Sequence, residues 1–585
     1  MSTLKINLIS LLPEFIIISL FVLFVQTNPM KTKAIIKADA VGYYDYLPSF
    51  FIYHDLIRKD KPFRKDSVLY NRIDKKGVYV NYKGFKVDKY PVGTALLQWP
   101  FFYVAYLTTK PDSTGNYGYQ KPFQQAVAYS TLFYLFLAIF FLRKILELYD
   151  IKKPIIIFLQ ILLVFATGVT NYAHFDAGFS HVYSLFAITA FFYFVRRFFV
   201  KNRWKDFIFA ALFLGLILLL RQINILVLFF IPFLAGSYEN LKKGAFYLIQ
   251  HPRTLLTGFF LTAALVSIQC LIWYLQTGHF LLYSYQGEGF HFLHPQFINI
   301  LFSYRKGLFV YAPVLFLSLA GLIRMISQRK FYQAVTWLLF FLLLTYLFSS
   351  WHSWIYGASY GSRVYVDYYS IFFILLAILL NESAAVLKTI VLLLSLLTIP
   401  VNLIQSYQYK TFILHWTNMN KEKYWEVFLK TEKRYRGLLW KKNADLRQFS
   451  LVKKISTSKL ISSPKDKFQL IYQGRSKSIP GFQHVSLIRI SFANRFLADN
   501  NSKIIVRIYD VGTGKTDYWF DPYLIHFAQK QLGQWQTGFY DFTFKPMTDG
   551  KEKIISIKLF SEKRHVNVLE NLKIMFLSRG NLNSP

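Results

Sequence analysis

Cysteine is almost absent from this 585-residue chain: Cys270 is the one example, and it lies inside an apolar run. No internal disulfide is available to hold an exported part together, so its folding must rest on packing. Zinc-finger spacing and Gly-rich aromatic RNA motifs are missing too, so the net charge of +37 does not point to nucleic acid. Acids are scarce, 31 against 68 Lys and Arg, and the cations gather at the ends of apolar runs and in the C-terminal third. The first apolar stretch, 8–25, lacks a small-residue cleavage site before Gln26 and Thr27. It reads as a retained helix rather than a signal peptide. No internal repeat relates the two halves.

What is abundant is apolar and aromatic: 54% hydrophobic residues, 60 Phe and 41 Tyr, with a mean hydropathy of +0.30. Several apolar runs approach the ~20 residues that cross a bilayer core as a helix. Spans are expected at 8–26, 123–146, 155–170, 181–199, 206–220, 223–236, 254–275, 307–326, 331–349, 365–381 and 384–403, about eleven transmembrane helices in a polytopic α-helical membrane protein. Basic residues fall on alternate connections: Arg143, Lys144, Lys152 and Lys153; Arg196, Arg197, Lys201, Arg203 and Lys205; Lys242, Lys243 and Arg253; Arg324, Arg329 and Lys330. The positive-inside rule makes these connections and the N-terminus cytoplasmic, and the C-terminus extracytoplasmic. The short apolar stretch 94–109, with Pro100 near its middle, would break that alternation as a span. It is expected to be interfacial or re-entrant within a long first external loop, 27–122.

This orientation leaves the chemically unusual segments outside. Asp39 follows the first span by a few residues and has the character of a general base for a hydroxyl nucleophile, or of a solvated helix cap. Asp45 competes with it for the first role. Tyr43, Tyr44 and Tyr46 suit either stacking on a sugar or an interfacial belt. His174, Asp176 and His181 carry metal-ligating groups, but their spacing matches no standard zinc signature, and polar recognition in a cavity is the preferred reading. Arg221 separates two apolar runs, where an ionisable group holds an anion by bidentate hydrogen bonds or snorkels at a helix end. Arg305 with Lys306, and Tyr360 and Arg363 in an aromatic, Gly-rich loop from Trp351 to Arg363, complete a one-sided polar cluster.

In order along the chain, Asp39 with Gly42-Tyr43-Tyr44 and Leu47-Pro48, Lys89-Tyr90-Pro91-Val92-Gly93, Trp99-Pro100-Phe101-Phe102, Ser180-His181-Val182-Tyr183-Ser184, Leu220-Arg221-Gln222-Ile223-Asn224, Lys306-Gly307 through Pro313, and Tyr360-Gly361-Ser362-Arg363 resemble the GT-C superfamily of membrane glycosyltransferases. The resemblance covers most of 1–405 and is nearest to bacterial relatives of the protein O-mannosyltransferases. It implies a GT-C-like catalytic domain in a bacterial inner membrane and a polyprenyl-phosphate-linked sugar as donor. The implied acceptor is an envelope glycan, lipid or protein. Asp39 would be the catalytic base of an inverting transfer. Tyr43, Tyr44, His174, Asp176, His181, Arg221, Arg305, Tyr360 and Arg363 would bind substrate. The acidic pair often present in the family's first loop is Asp39-Ala40 here, so no cofactor is obligatory, although a divalent cation is compatible.

Beyond residue 405 the character changes. Residues 406–450 read as an amphipathic juxtamembrane linker, with one or two surface helices between Lys421 and Trp440. From 451 to 585 short alternating runs, 468–472, 485–492, 504–509, 538–544, 554–560 and 572–577, are separated by Gly, Asn and Asp turns. They point to an extracytoplasmic β-sandwich-like domain. Lys and Arg outnumber Asp and Glu more than twofold after residue 410, which suits anionic headgroups or an anionic glycan. Competing functions are a lipid-linked glycan transporter or flippase, a non-catalytic envelope scaffold, and a ligase using a lipid diphosphate donor.

Overall fold

The computed structural model describes residues 8–27, 34–57, 78–111, 117–440, 444–461, 468–495, 502–514, 516–521, 535–560 and 568–579. The expected first loop is thus described in part, since 28–33, 58–77 and 112–116 lie outside the described residues. The chain divides into two compact units, Met1–Ser406 with Trp416–Lys421, and Tyr407–His415 with Glu422–Pro585.

The first unit is a multi-pass helical bundle. Among the described residues seven helices are long and apolar enough to cross a bilayer: Ile9–Thr27, Lys121–Glu147, His181–Lys201, Pro252–Thr277, Phe331–Ser350, Arg363–Glu382 and Ala385–Lys410. An eighth arises if Gln222–Ala235 and Tyr238–Gln250, bent by 118°, count as one span. The expected count of eleven is not confirmed: four of the expected spans are helical but short or broken. Lys153–Phe165 has 13 residues, roughly 20 Å at 1.5 Å per residue, against a ~30 Å hydrocarbon core. Trp204–Leu220 has 17. Gln222–Phe230 is 3-10 helix continuing into Ile231–Ala235. The stretch expected at 307–326 is divided into Leu308–Tyr311, Pro313–Ser318 and Ala320–Ser327; Pro313 has no N–H to continue the preceding turn.

Helix ends follow the sequence. Pro122, Pro154 and Pro252 sit in the first turns of their helices, where a missing N–H costs nothing. Asn202 and Gly278 close His181–Lys201 and Pro252–Thr277 in the left-handed conformation, as C-terminal caps commonly do. His181–Lys201 and Arg363–Glu382 are almost wholly buried and form the centre of the bundle, whereas Pro252–Thr277 is mostly exposed and apolar all round, as a lipid-facing helix must be.

Around the N-terminal ends of the central helices lies the described part of the first loop. It comprises helix α1 (Asp39–Phe51), a hairpin of β1 (Tyr79–Tyr82) and β2 (Phe85–Asp88), and helix α2 (Gly93–Thr108). The hairpin turns at Lys83-Gly84, both at positive φ, the geometry of a two-residue hairpin loop. α2 is 16 residues long with Pro100 inside. It buries Phe102 and Ala105 while exposing Trp99, Val104 and Leu107.

In the second unit a short helix, Lys421–Val427, and two 3-10 turns occupy the stretch expected to be amphipathic helix. Eight strands follow: β3 (Phe449–Ile461), β4 (Phe468–Arg475), β5 (Val485–Arg495), β6 (Lys503–Asp510), β7 (Thr516–Phe520), β8 (Trp535–Thr543), β9 (Lys553–Phe560) and β10 (Val568–Arg579). They form two four-stranded antiparallel sheets, β3-β10-β5-β8 and β4-β9-β6-β7. Inward residues of both sheets, among them Ile488, Ile490, Phe576, Val506, Ile508 and Ile557, share one core.

Candidate active site

The site grows from α1, whose first residue is Asp39. Residues four apart share a helix face, so Asp39 and Tyr43 point the same way. α1 can lie close to its neighbours because two positions carry no side chain. A Cβ on Gly42 would stand 2.3 Å from the ring of Tyr90, and one on Gly178 would stand 2.5 Å from Ala40. Tyr90 therefore packs on Tyr43 with ring centroids 4.6 Å apart, its hydroxyl donating to Asp39. Ser180 donates to the Tyr43 hydroxyl at 3.1 Å.

Opposite Asp39 is Arg363, where the helix Arg363–Glu382 begins. Gly361 turns the chain at φ 56°, and the Ser362 hydroxyl donates to the carbonyls of Ile300 and Lys306 at 2.8 and 2.6 Å. Arg363 is thereby fixed with its Nη1 2.7 Å from Asp39 Oδ2. The two side chains remain 16% and 24% exposed, so the pair is partly accessible. Burial pushes the Asp39 carboxyl up, but the Arg363 guanidinium and hydrogen bonds from Tyr90 and Arg363 outweigh it and hold it below the usual carboxylate value.

One turn beyond Arg363, Asp367 is fully buried. It bonds His181 Nδ1 at 2.7 Å, Arg221 Nη1 at 3.1 Å and Asn224 Nδ2 at 2.9 Å. Asn224 in turn accepts from the Tyr368 hydroxyl at 3.1 Å. A buried carboxylate satisfied by three partners is a fixed anchor rather than a proton acceptor. Its effect is to hold Arg221 by one nitrogen, with the side chain 17% exposed. Arg221 Nε and Nη2, and the same atoms of Arg363, have no protein partner among the described residues.

Asp39, Tyr43, His181, Arg221 and Arg363 are thus brought into one neighbourhood, together with Tyr285, whose ring lies 6.4 Å from that of Tyr90. Asp176 is adjacent: it accepts from Asn171 at 2.9 Å and pairs with Lys37 at 3.4 Å, while burial pushes its carboxyl up. His174 lies in the same turn, partly exposed. Three expected ligands are placed elsewhere. Tyr44 turns into the core below α1, against Phe102 and Tyr119, and donates to the Gly118 carbonyl. Tyr360 is buried, bonded to Tyr172, Asn402 and Gln405. Arg305 donates to the Thr417 carbonyl at 2.7 Å. Asp45, the rival base, is buried and accepts from Ser49, Tyr79 and Tyr119.

Asp367, Asn224, Tyr90 and Tyr285 are participants that sequence reasoning did not name as site residues. The i, i+4 spacing of Arg363 and Asp367 was the available signal. Among the described residues no three His, Cys, Asp or Glu side chains converge as metal ligands; His181 and Asp367 are committed to each other.

No family model and no curated protein matches the chain. Solved structures similar to it include an oligosaccharyltransferase and an arabinosyltransferase. One is the oligosaccharyltransferase AglB from Archaeoglobus fulgidus, in complex with an inhibitory peptide and a dolichol-phosphate: TM-score 0.39, 10% identity, 72% of this chain and 60% of that one. Another is the arabinosyltransferase EmbB from Mycobacterium smegmatis: TM-score 0.30, 9% identity, 96% of this chain and 67% of that one. The chain thus spans less than two thirds of the archaeal enzyme's length. Superposition at this level carries no detail of chemistry, which has to come from the site.

Proposed function

We propose that the chain is a membrane glycosyltransferase that moves a sugar from a polyprenyl-phosphate donor to an envelope glycan, lipid or protein acceptor on the extracytoplasmic face. The observation that carries this reading is the Asp39–Arg363 pair, partly exposed and flanked by tyrosines, beside an Arg221 pinned on Asp367. An ionised carboxylate, two guanidinium groups with spare donors and aromatic rings are what a hydroxyl, a phosphate leaving group and a sugar face require.

In the proposed reaction the acceptor oxygen attacks the anomeric carbon from the side opposite the phosphate. A bond from that oxygen to the carbon forms as the bond to the phosphate oxygen breaks and takes the electron pair. The proton passes to Asp39, the phosphate charge is met by Arg221 and Arg363, and the configuration inverts. Proton transfer late in the attack suits a weak base, because the hydroxyl becomes acidic only as its oxygen bonds to carbon. Arrival of the phosphate draws Arg363 away from Asp39, which raises the basicity of the carboxylate when donor is present. No resident metal has a task in this scheme, and the donor set around Asp39 does not resemble one.

The assignment of sides rests on charge. His181 begins its helix at the site, while Arg196, Arg197 and Lys201 are in its last turns; Arg221 caps the end of a helix that starts with Arg203 at its N-cap and Lys205 in its first turn. The topology cations and the site therefore occupy opposite ends, which supports an extracytoplasmic site by the positive-inside rule. In the same reading α2 is interfacial, 1–405 is the catalytic domain, 406–450 a linker and 451–585 an extracytoplasmic β-sandwich.

The test is to incubate membranes containing the protein with a panel of radiolabelled polyprenyl-phosphate sugars. Loss of label from one lipid, with its appearance on an acceptor, supports the reading. Label that crosses the bilayer while staying on its lipid contradicts it and indicates a flippase.

A further inference from the structure

Far from Asp39, the other end of the central helix His181–Lys201 borders a cavity of about 300 Å³. From His181 to Phe199 the helix rises roughly 27 Å, so this cavity and the proposed active site belong to opposite leaflets. Phe191, Phe198, Phe207, Ala210, Leu248 and Phe259 are among its walls, and Thr262 is the one polar lining residue. The helices His181–Lys201, Trp204–Leu220, Tyr238–Gln250 and Pro252–Thr277 contribute, with Leu228 and Ile231 from the 3-10 stretch Gln222–Phe230 and the helix Ile231–Ala235. Leu255 and Phe259 are exposed as well as lining it, so the cavity opens toward the lipid side of the bundle. An apolar cavity of this kind is not wetted, and left empty its walls lose dispersion contacts.

The rim is of opposite character. Phe198 and Phe199 stand just before Lys201, Phe207 just after Lys205, and Leu255 just after Arg253. Lys201, Arg203, Lys205, Lys242, Lys243 and Arg253 are all exposed, and none forms an ion pair among the described residues. Asp206 is buried against Arg197 at 3.3 Å, with Arg203 and Lys201 also in its field, and Glu239 is exposed. Tyr238–Gln250 departs by 118° from the helix before it. It carries Lys242 and Lys243 beside exposed Phe246 and Ile249, the composition of a helix lying in the headgroup layer. Gly244 lets it press on Phe199.

We propose that this groove binds an anionic phospholipid of the adjoining leaflet, one acyl chain in the cavity and the phosphate among Lys201, Arg203 and Lys205. Hydrocarbon fills the void, and an excess of unpaired cations at its mouth selects a negative headgroup. The inference does not depend on the proposed transferase activity, since it uses none of the residues around Asp39.

Native mass spectrometry of the full chain in detergent, given equimolar dioleoyl phosphatidylglycerol and dioleoyl phosphatidylcholine, tests it. Retention of phosphatidylglycerol at least about fivefold over phosphatidylcholine is expected. Combined Lys201→Gln, Arg203→Gln and Lys205→Gln should abolish the preference while leaving phosphatidylcholine retention unchanged. Ala210→Phe, which fills the cavity, should lower retention of both lipids. Equal retention by the wild type, or a preference that survives the triple exposed-residue variant, would overturn the proposal whether or not Ala210→Phe folds. Displacement of phosphatidylglycerol by an equal concentration of a polyprenyl phosphate would also overturn it.

Discussion

The Asp39 carboxylate and the Arg363 guanidinium stand 2.7 Å apart, joining the first residue of α1 to the first turn of a buried helix from the far end of the same unit. A proposed base and a proposed phosphate ligand therefore hold each other in the free protein, and whatever takes Arg363 releases Asp39.

That coupling sets the pH dependence. The ionised form of Asp39 is the active one, so activity is lost as pH falls through its pKa. Because the carboxyl lies below its usual value, around 3.9 for an ordinary Asp, the acid limb of kcat/KM should fall below about pH 4. Arg363→Gln removes the favourable charge and leaves the burial, so the limb should move up by about 1 unit or more. A pH profile with an unmoved acid limb in this variant would contradict the role of the pair.

Arg221 is pinned by one nitrogen, with the rest of its fork unpartnered among the described residues. Arg221→Ala is expected to lower kcat/KM for the lipid donor by roughly 10²–10³. Arg221→Lys should recover little, because an ammonium cannot bond Asp367 and a phosphate with one planar fork. Full activity in the lysine variant would show that charge alone matters there.

Asp367 is a positioning residue. Asp367→Ala strands His181, Arg221 and Asn224 and should cost about 3–5 kcal/mol of stability, seen as a lowered thermal midpoint in detergent. Asp367→Asn preserves shape but not charge; its donor KM should rise more than its kcat falls, because Arg221 loses its anchor.

In the second unit Arg489 meets Asp541 across paired strands, Nε to Oδ1 at 2.6 Å and Nη2 to Oδ2 at 2.7 Å. Asp541 is buried and also accepts from the Ala444 amide. Asp541→Ala should destabilise by roughly 3–5 kcal/mol, measured by urea titration of near-ultraviolet circular dichroism; a change under about 1 kcal/mol would contradict a bidentate buried pair.

Much of this was legible in the sequence, and the exceptions have physical causes. Alternation marks six strands, but β3, with Lys453 and Lys454 on a largely exposed strand, and the five-residue β7 have too weak an apolar period. Apolar runs announced every span, yet length in sequence is not length in space: Pro313 and the 3-10 stretch after Arg221 divide runs that composition alone reads as continuous. Tyr43 and Tyr44 look equivalent in the sequence, but neighbouring helical residues point about 100° apart, so one faces Asp39 and the other the core. Asp367 has only its i, i+4 spacing to Arg363 to mark it, because its partners His181 and Arg221 are 186 and 146 residues away and pairing at that distance leaves no pattern in the sequence. The Asp39, Arg221 and Arg363 trio was visible because charge beside apolar runs is costly and has to be explained.

The most direct test of Asp39 as the base of a lipid-dependent transfer compares wild-type and Asp39→Asn protein in membranes, with the one polyprenyl-phosphate sugar that the wild type consumes. The expected result is that the variant binds the donor but consumes it roughly 10²–10⁴ times more slowly. Equal consumption by the two proteins would contradict the assignment and make Asp39 a structural partner of Arg363.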